Sequence, residues 1–192
     1  MNNVKLGISA DKSGGSHSNV KQCKDCGLYS NCQGPVPSVG PLDARLVIVG
    51  ESPGTEEDQK GEPFVGDTGK LLTFMLKEAG LVRSQCRITN AIKCFPNKQK
   101  LTVKHAEYCK PVLMRELLKL KQIECIVVFG NFAASSLIGR SSISEINGYW
   151  WEWNEIPVLT LLHPSFVLRN LSYLNIQIRH LRKAYEFLNV RN

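Results

Sequence analysis

The chain has 192 residues, 43% apolar and 21% charged, which is long enough to bury a core and ordinary for a folded protein. No apolar run reaches the length of a membrane span and the N-terminus lacks a signal-peptide core, so the expectation is an intracellular protein with no membrane attachment. A net charge of +7 and a pI near 9.1 favour an anionic partner, nucleic acid first, while seven cysteines without a secretory signal favour metal ligation or buried thiols over disulfides.

Residues 1–19 are polar and rich in Ser, Gly, Asn and Lys, and read as a flexible tail ahead of a single domain over residues 20–192. Residues 21–32 carry Cys23-Lys-Asp-Cys26 and then Cys32, and residues 34–41 are turn-rich. Residues 46–49 form an unbroken apolar run, the mark of a strand buried in a parallel sheet, which breaks at Gly50 into a loop of Gly, Pro and acids. Glu51 stands at the C-terminal end of that strand, where open α/β sheets bind their ligands. Phe64, between Pro63 and Gly66, has little room to pack as ordinary core.

Asp67 or Thr68 is placed to cap a helix with the stripe Leu72, Met75, Leu76 and Ala79, ended by Gly80. Residues 87–94 read as a second strand that finishes in a turn at 95–97. Thr102 caps a helical stretch reaching about residue 121, and Pro111 inside it predicts a kink or a division into two helices. Residues 125–130 are a third buried strand, 131–137 a short helix, and the aromatic-rich 148–153 an edge strand or hairpin. A fourth core strand over 156–162 ends in His163-Pro164-Ser165, and a last helix from about residue 172 carries Leu174, Ile178, Leu181, Tyr185 and Leu188 on one face. Alternating strands and helices predict an α/β fold whose parallel sheet is covered on both sides. Glu51, Asn90 and His163, each near a strand's C-terminal end, then share one sheet edge.

Cys23, Cys26, Cys94 and Cys109 form a possible set of four thiolates, suited equally to tetrahedral zinc or an iron–sulfur cluster. The Cys-x-x-Cys pair alone also fits a redox or purely structural role. Cys86 and Cys125 read as small buried hydrophobes. Cys32 stands close enough to Cys26 to compete as a ligand and ranks below Cys94 and Cys109.

Taken singly, these residues have plainer readings. Glu51 reads as a solvated loop acid, and Glu56, Glu57 and Asp58 as solvated acids or caps of a short turn. Phe64 alone reads as core, Asn90 as a turn residue, and His163 as a satisfied hydrogen-bonder. Trp150, Trp151 and Trp153 read as cover for a sheet edge or core before a platform for single-stranded nucleic acid. Residues 66–70 lack the spacing of a phosphate-binding loop.

Together the residues say more. Gly50-Glu-Ser-Pro-Gly54, Gly61-Glu-Pro-Phe-Val-Gly66, Thr89-Asn90 leading to Lys93-Cys94, and His163-Pro-Ser-Phe-Val-Leu-Arg169 resemble, in order and spacing, the iron–sulfur uracil-DNA glycosylases known as family 4. The resemblance implies a three-layer α/β/α sandwich with a central four-stranded parallel sheet, and a [4Fe–4S] cluster on Cys23, Cys26, Cys94 and Cys109, with zinc the other candidate. It implies that Phe64 stacks on a flipped base, Asn90 bonds the uracil edge, His163 faces uracil O2 and Glu51 positions or polarises the attacking water. Ser52 and Pro53 would line the pocket floor. Ser165 and Arg169 would contact DNA within a loop that enters or pinches it, with Arg179, Arg182 and Lys183 meeting phosphates. The implied protein is a monomeric DNA-repair hydrolase acting on uracil-containing DNA, single- or double-stranded, and leaving an abasic site. A non-catalytic or covalently capturing relative is the alternative; Glu51, Asn90 and His163 together speak against the first, and the lack of an insertion between Cys94 and Cys109 against the second. Ser52 stands where Ala or Gly is common in the family, Thr68 where Ala is frequent, and Phe95 where Arg is frequent.

Overall fold

The computed structural model describes residues 23–190, and the tail expected over residues 1–19 lies outside them. Its sheet has five strands: β1 (Leu46–Gly50), β2 (Cys86–Asn90), β3 (Cys125–Phe129), β4 (Trp150–Trp153) and β5 (Ile156–Leu161), in the order β2-β1-β3-β5-β4. Four run parallel, as expected, and the fifth corrects the four-stranded sheet: β4 pairs antiparallel with β5 at the edge, with Trp150 opposite Leu159 and Trp153 opposite Ile156. The turn between them is Asn154–Glu155, both with positive φ (48° and 66°), the left-handed pair that a two-residue hairpin requires. Glu in the second place carries none of the glycine signal that marks such turns, so the sequence left edge strand and hairpin undivided.

Residues along the central strands alternate between two buried faces, which is why they read as continuous apolar runs. Leu46, Ile48, Cys125, Val127, Phe129, Leu159 and Leu161 face one side. There they pack on Leu72, Met75 and Leu76 of α2 (Asp67–Glu78) and on Leu181, Ala184 and Leu188 of α6 (Leu174–Val190). Val47, Val49, Ile126, Val128 and Val158 face the other. Their partners are Leu113 and Leu117 of α3 (Val103–Leu118) and Ala133, Ala134 and Leu137 of α4 (Asn131–Ile138). Each such aliphatic side chain taken out of water contributes about 1.5–3 kcal/mol, so the three-layer packing dominates stability. At the N-terminal edge Arg45 is paired with Glu124 and donates to the carbonyl of Leu188, tying β1 to the last turn of α6.

Three helices depart from expectation. Thr102 caps α3 as predicted, with His105 completing the cap through its Nδ1, but Pro111 does not divide the helix. Pro111 lies on the solvent face, where water can take up the carbonyl bond that the missing N–H leaves open. Two short helices stand where the sequence predicts loop: α1 (Thr55–Lys60), inside the acid-rich stretch, and α5 (Pro164–Arg169), directly after His163. The segment expected to enter DNA as a loop is therefore helical, with Pro164 at its first position and His163 as its N-cap. Among the described residues no helix is long and apolar enough to cross a membrane.

The chain leaves β1 outward to β2 and returns across the sheet to β3, so strand order reverses between β1 and β3. The crevice outside the carboxyl ends of those two strands is where such sheets bind ligands. Glu51, Asn90 and His163 follow or end β1, β2 and β5, and so occupy the same edge.

Candidate active site

Glu51 crosses this crevice. Its Oε1 accepts the N–H of Phe132 at 3.0 Å, and the N–H of Asn131 also reaches the carboxylate, so the residue directly after β1 caps the first turn of α4. Gly130 leaves room for it: φ is +92°, and a Cβ there would collide with the Glu51 carboxylate. Burial raises the pKa of Glu51, and the two N–H bonds partly offset that. Ser52 is half-buried and Pro53 buried beside it.

Phe64 is almost fully buried and adopts φ +56°, an uncommon conformation for a bulky residue. Its ring and the Asn90 amide lie together over Gly50, where any Cβ would overlap both. Three further groups hold the loop. Glu57, buried, accepts the N–H of Val65 and of Gly66 (both 2.9 Å) on one oxygen and that of Gly54 (3.0 Å) on the other. Arg83 donates to the carbonyls of Phe64 (2.8 Å) and Pro63 (3.3 Å), and reaches Gly69 and Thr73 of α2. Gly69 lacks the Cβ that would strike the Phe64 carbonyl. An anion grips the loop's N–H groups and a cation grips its carbonyls, and between them the strained Phe64 is over-determined.

His163 stacks on Phe64, with centroids 5.8 Å apart and planes 26° from parallel. Its Nδ1 accepts the backbone N–H of Ser165 at 3.2 Å and meets the Ser165 hydroxyl at 2.8 Å. A backbone N–H can only donate, so Nδ1 carries no proton and the proton of the neutral ring sits on Nε2. That Nε2 is buried and has no partner. Burial, with the charge of Arg169 adding to it, pushes His163 down to about 4. The ring is thus a neutral donor at physiological pH. Ser165, expected at DNA, holds this tautomer. Arg169 is exposed at the end of α5. Arg182 donates to the carbonyl of Glu78 and Lys183 to that of Gly148. Glu78 ends α2 at the edge opposite Gly66, so Arg182 lies away from the crevice.

Cys94 and Cys109 are buried with Leu28, Ile92 and Ala106, and Cys26 and Cys32 pack against that group. Cys26 packs beside Cys109, whose thiol with other nearby groups lowers Cys26 to about 6. That contact and burial raise Cys109, and burial and the neighbouring cysteines raise Cys94. Among the described residues no three potential ligands stand at the spacing of a closed metal site. The donor set itself, soft thiols with Asp25 beside Cys23, fits an iron–sulfur cluster or zinc. Beneath it Lys93, buried, donates to Thr89 and Glu116 at 2.6 Å each, linking the end of β2 to α3. Cys86 and Cys125 are buried in the sheet core, each with its thiol pushed up to about 12 by burial, as expected of inert cysteines.

The reading of Glu57 as the cap of a short turn holds at Gly54, but sequence reasoning missed its grip on Val65 and Gly66, and missed Arg83 entirely. Glu57 carried one usable sign, its place three residues after Gly54 at a helix start. Arg83 carried none, because its partners are carbonyls, present at every residue.

A family model described as the uracil DNA glycosylase superfamily matches residues 37–189. The type-4 uracil-DNA glycosylase of Archaeoglobus fulgidus is 39% identical over 159 residues, covering 78% of this chain and 79% of that protein. The type-4 enzyme of Thermotoga maritima is 36% identical over 175 residues, 88% of this chain and 91% of that one. A type-5 uracil-DNA glycosylase of Thermus thermophilus is similar over less: 30% identity over 125 residues, 58% of this chain and 57% of that protein.

Proposed function

The chain belongs to the uracil-DNA glycosylase superfamily, in its type-4 branch, and from that membership we infer a DNA-repair enzyme that hydrolyses the N-glycosidic bond of uracil in DNA. The observation that carries the chemistry is the buried, unpartnered Nε2–H of a neutral His163. Bond cleavage leaves negative charge on the departing base, gathered at O2, and positive charge on the sugar. A donor fixed before the reaction stabilises that anion without reorganising, an effect commonly worth about 3–4 kcal/mol of barrier. A positively charged imidazole would need a second acceptor where Ser165 presents an N–H, so the neutral form is the working one.

The other roles follow from the same edge. Extruding a nucleotide costs a few kcal/mol of unstacking, and the face of Phe64 recovers part of it. The rings of Phe64 and His163 leave no room for a base between them, so the base lies on Phe64 with its O2 edge toward His163. The Asn90 amide offers a donor to O4 and an acceptor to N3–H; cytosine mismatches both. Glu51, anchored by the N–H groups at the start of α4, presents its carboxylate to the attacking water and the cationic sugar. Ser52 and Pro53 form the floor. Cys23, Cys26, Cys94 and Cys109 would hold a [4Fe–4S] cluster, which would tie the N-terminal segment to the loop after β2 and to α3 in a structural role. Residues 20–192 act as one domain, a monomer working inside the cell on single- or double-stranded DNA.

The test is a labelled oligonucleotide with one deoxyuridine, treated with the protein, then alkali, and run on a denaturing gel beside thymine and cytosine controls. Cleavage at uracil alone, weakened in Glu51→Ala and Asn90→Ala, is the expected result. An intact strand bearing a denaturant-resistant adduct would mean covalent capture, and neither product would overturn the reading.

A further inference from the structure

The cysteine group holds one thiol more than a four-ligand site needs. Cys26 and Cys32 flank the two ends of the 3-10 turn Gly27–Asn31, both extended, with φ of −128° and −132°. Leu28, fully buried, anchors that turn against Ile92, Cys94, Ala106 and Cys109, and both flanking cysteines pack on the same group. Cys26, Cys32, Cys94 and Cys109 therefore belong to one packed cluster, in which the Cys32 thiol donates to the carbonyl of Tyr29 within the turn. Cys23, half-buried like Cys32, is not among the described residues packed on that cluster, and Asp25 lies beside it.

Resting on the iron–sulfur reading above, we propose that Cys32 is a competent ligand for the cluster, able to hold the corner otherwise assigned to Cys23. The exchange is thiolate for thiolate: Cys32 gives up its proton on binding iron, and the displaced Cys23 takes one up, so the charge of the site is unchanged. A family pattern of four cysteines gives no reason for a fifth packed within the site, whereas an interchangeable corner does.

Wild type, Cys23→Ser, Cys23→Ala, Cys32→Ser and the Cys23→Ser/Cys32→Ser double variant are purified without oxygen. Iron, acid-labile sulfide and visible absorption are measured per chain, with circular dichroism as a check of folding. Cys32→Ser is expected to match wild type, and the Cys23 variants to keep at least about half of its iron. The double variant should lose iron on the order of ten-fold. Cys23 variants as poor in iron as the double, or unable to fold while wild type is loaded, would overturn the proposal. Wild type without iron or sulfide would overturn the cluster reading itself, a result distinct from the first.

Discussion

Glu51 has two duties that substitutions separate. As the cap of α4 it accepts two backbone N–H groups, and as an anion it faces the crevice. Glu51→Gln keeps an acceptor for the cap and removes the charge, so its melting temperature should match or exceed wild type while uracil release falls on the order of 100-fold or more. Glu51→Ala removes both, and should lose about 1 kcal/mol of stability as well, read by urea unfolding. His163 makes a pH signature. Its folded pKa, about 4, lies below the ordinary histidine value of 6.5, so between those values the unfolded chain binds the proton that the folded chain refuses. Its contribution is complete above about pH 6.5 and is lost as pH falls toward 4, amounting to about 3 kcal/mol over that window. His163→Gln should flatten this part of the stability–pH curve and also slow uracil release. An unchanged curve would mean that His163 titrates normally.

Elements expose what side-chain patterns conceal. The apolar runs of β1 and β3, the cap at Thr102, and the placement of Asn90 and His163 at strand ends were legible because burial on both faces and turn chemistry leave periodic marks. The Phe64 loop was legible only as an oddity. What fixes it, Glu57 and Arg83, works through main-chain groups that every residue possesses, and α1 and α5 are too short to show a helical period. The loop makes its own test. Arg83→Ala frees two carbonyls beside a strained residue and should cut uracil release about ten-fold, and Arg83→Lys, which lacks the planar fork, should restore little of it. In a Phe64→Ala background the same Arg83 change should cost almost nothing further in release rate, although thermal stability still drops. Additive losses in rate would show that Arg83 acts elsewhere.

At the scale of the molecule, a charge of +7 promises attraction to DNA, but geometry decides which cations count. Arg169 sits at the crevice, whereas Arg182 is bonded to Glu78 at the far end of α2. Affinity for a deoxyuridine oligonucleotide, measured against salt concentration, should lose about one unit of logarithmic slope in Arg169→Ala and none in Arg182→Ala. Equal slopes for both would place the DNA elsewhere. The tie at the opposite edge bears on how the chain comes to be folded at all. Arg45 precedes the first strand, yet its guanidinium is completed by Glu124 and by the carbonyl of Leu188, and α6 shares with α2 the cover of this face of the sheet. During synthesis the first strand emerges some 140 residues before the end of α6, so the part of that side which α2 leaves open stays bare until α6 is free to dock. A nascent chain stalled before α6 would present that part to its neighbours on the same messenger, and the helix that looks most peripheral would govern whether translation yields protein or aggregate.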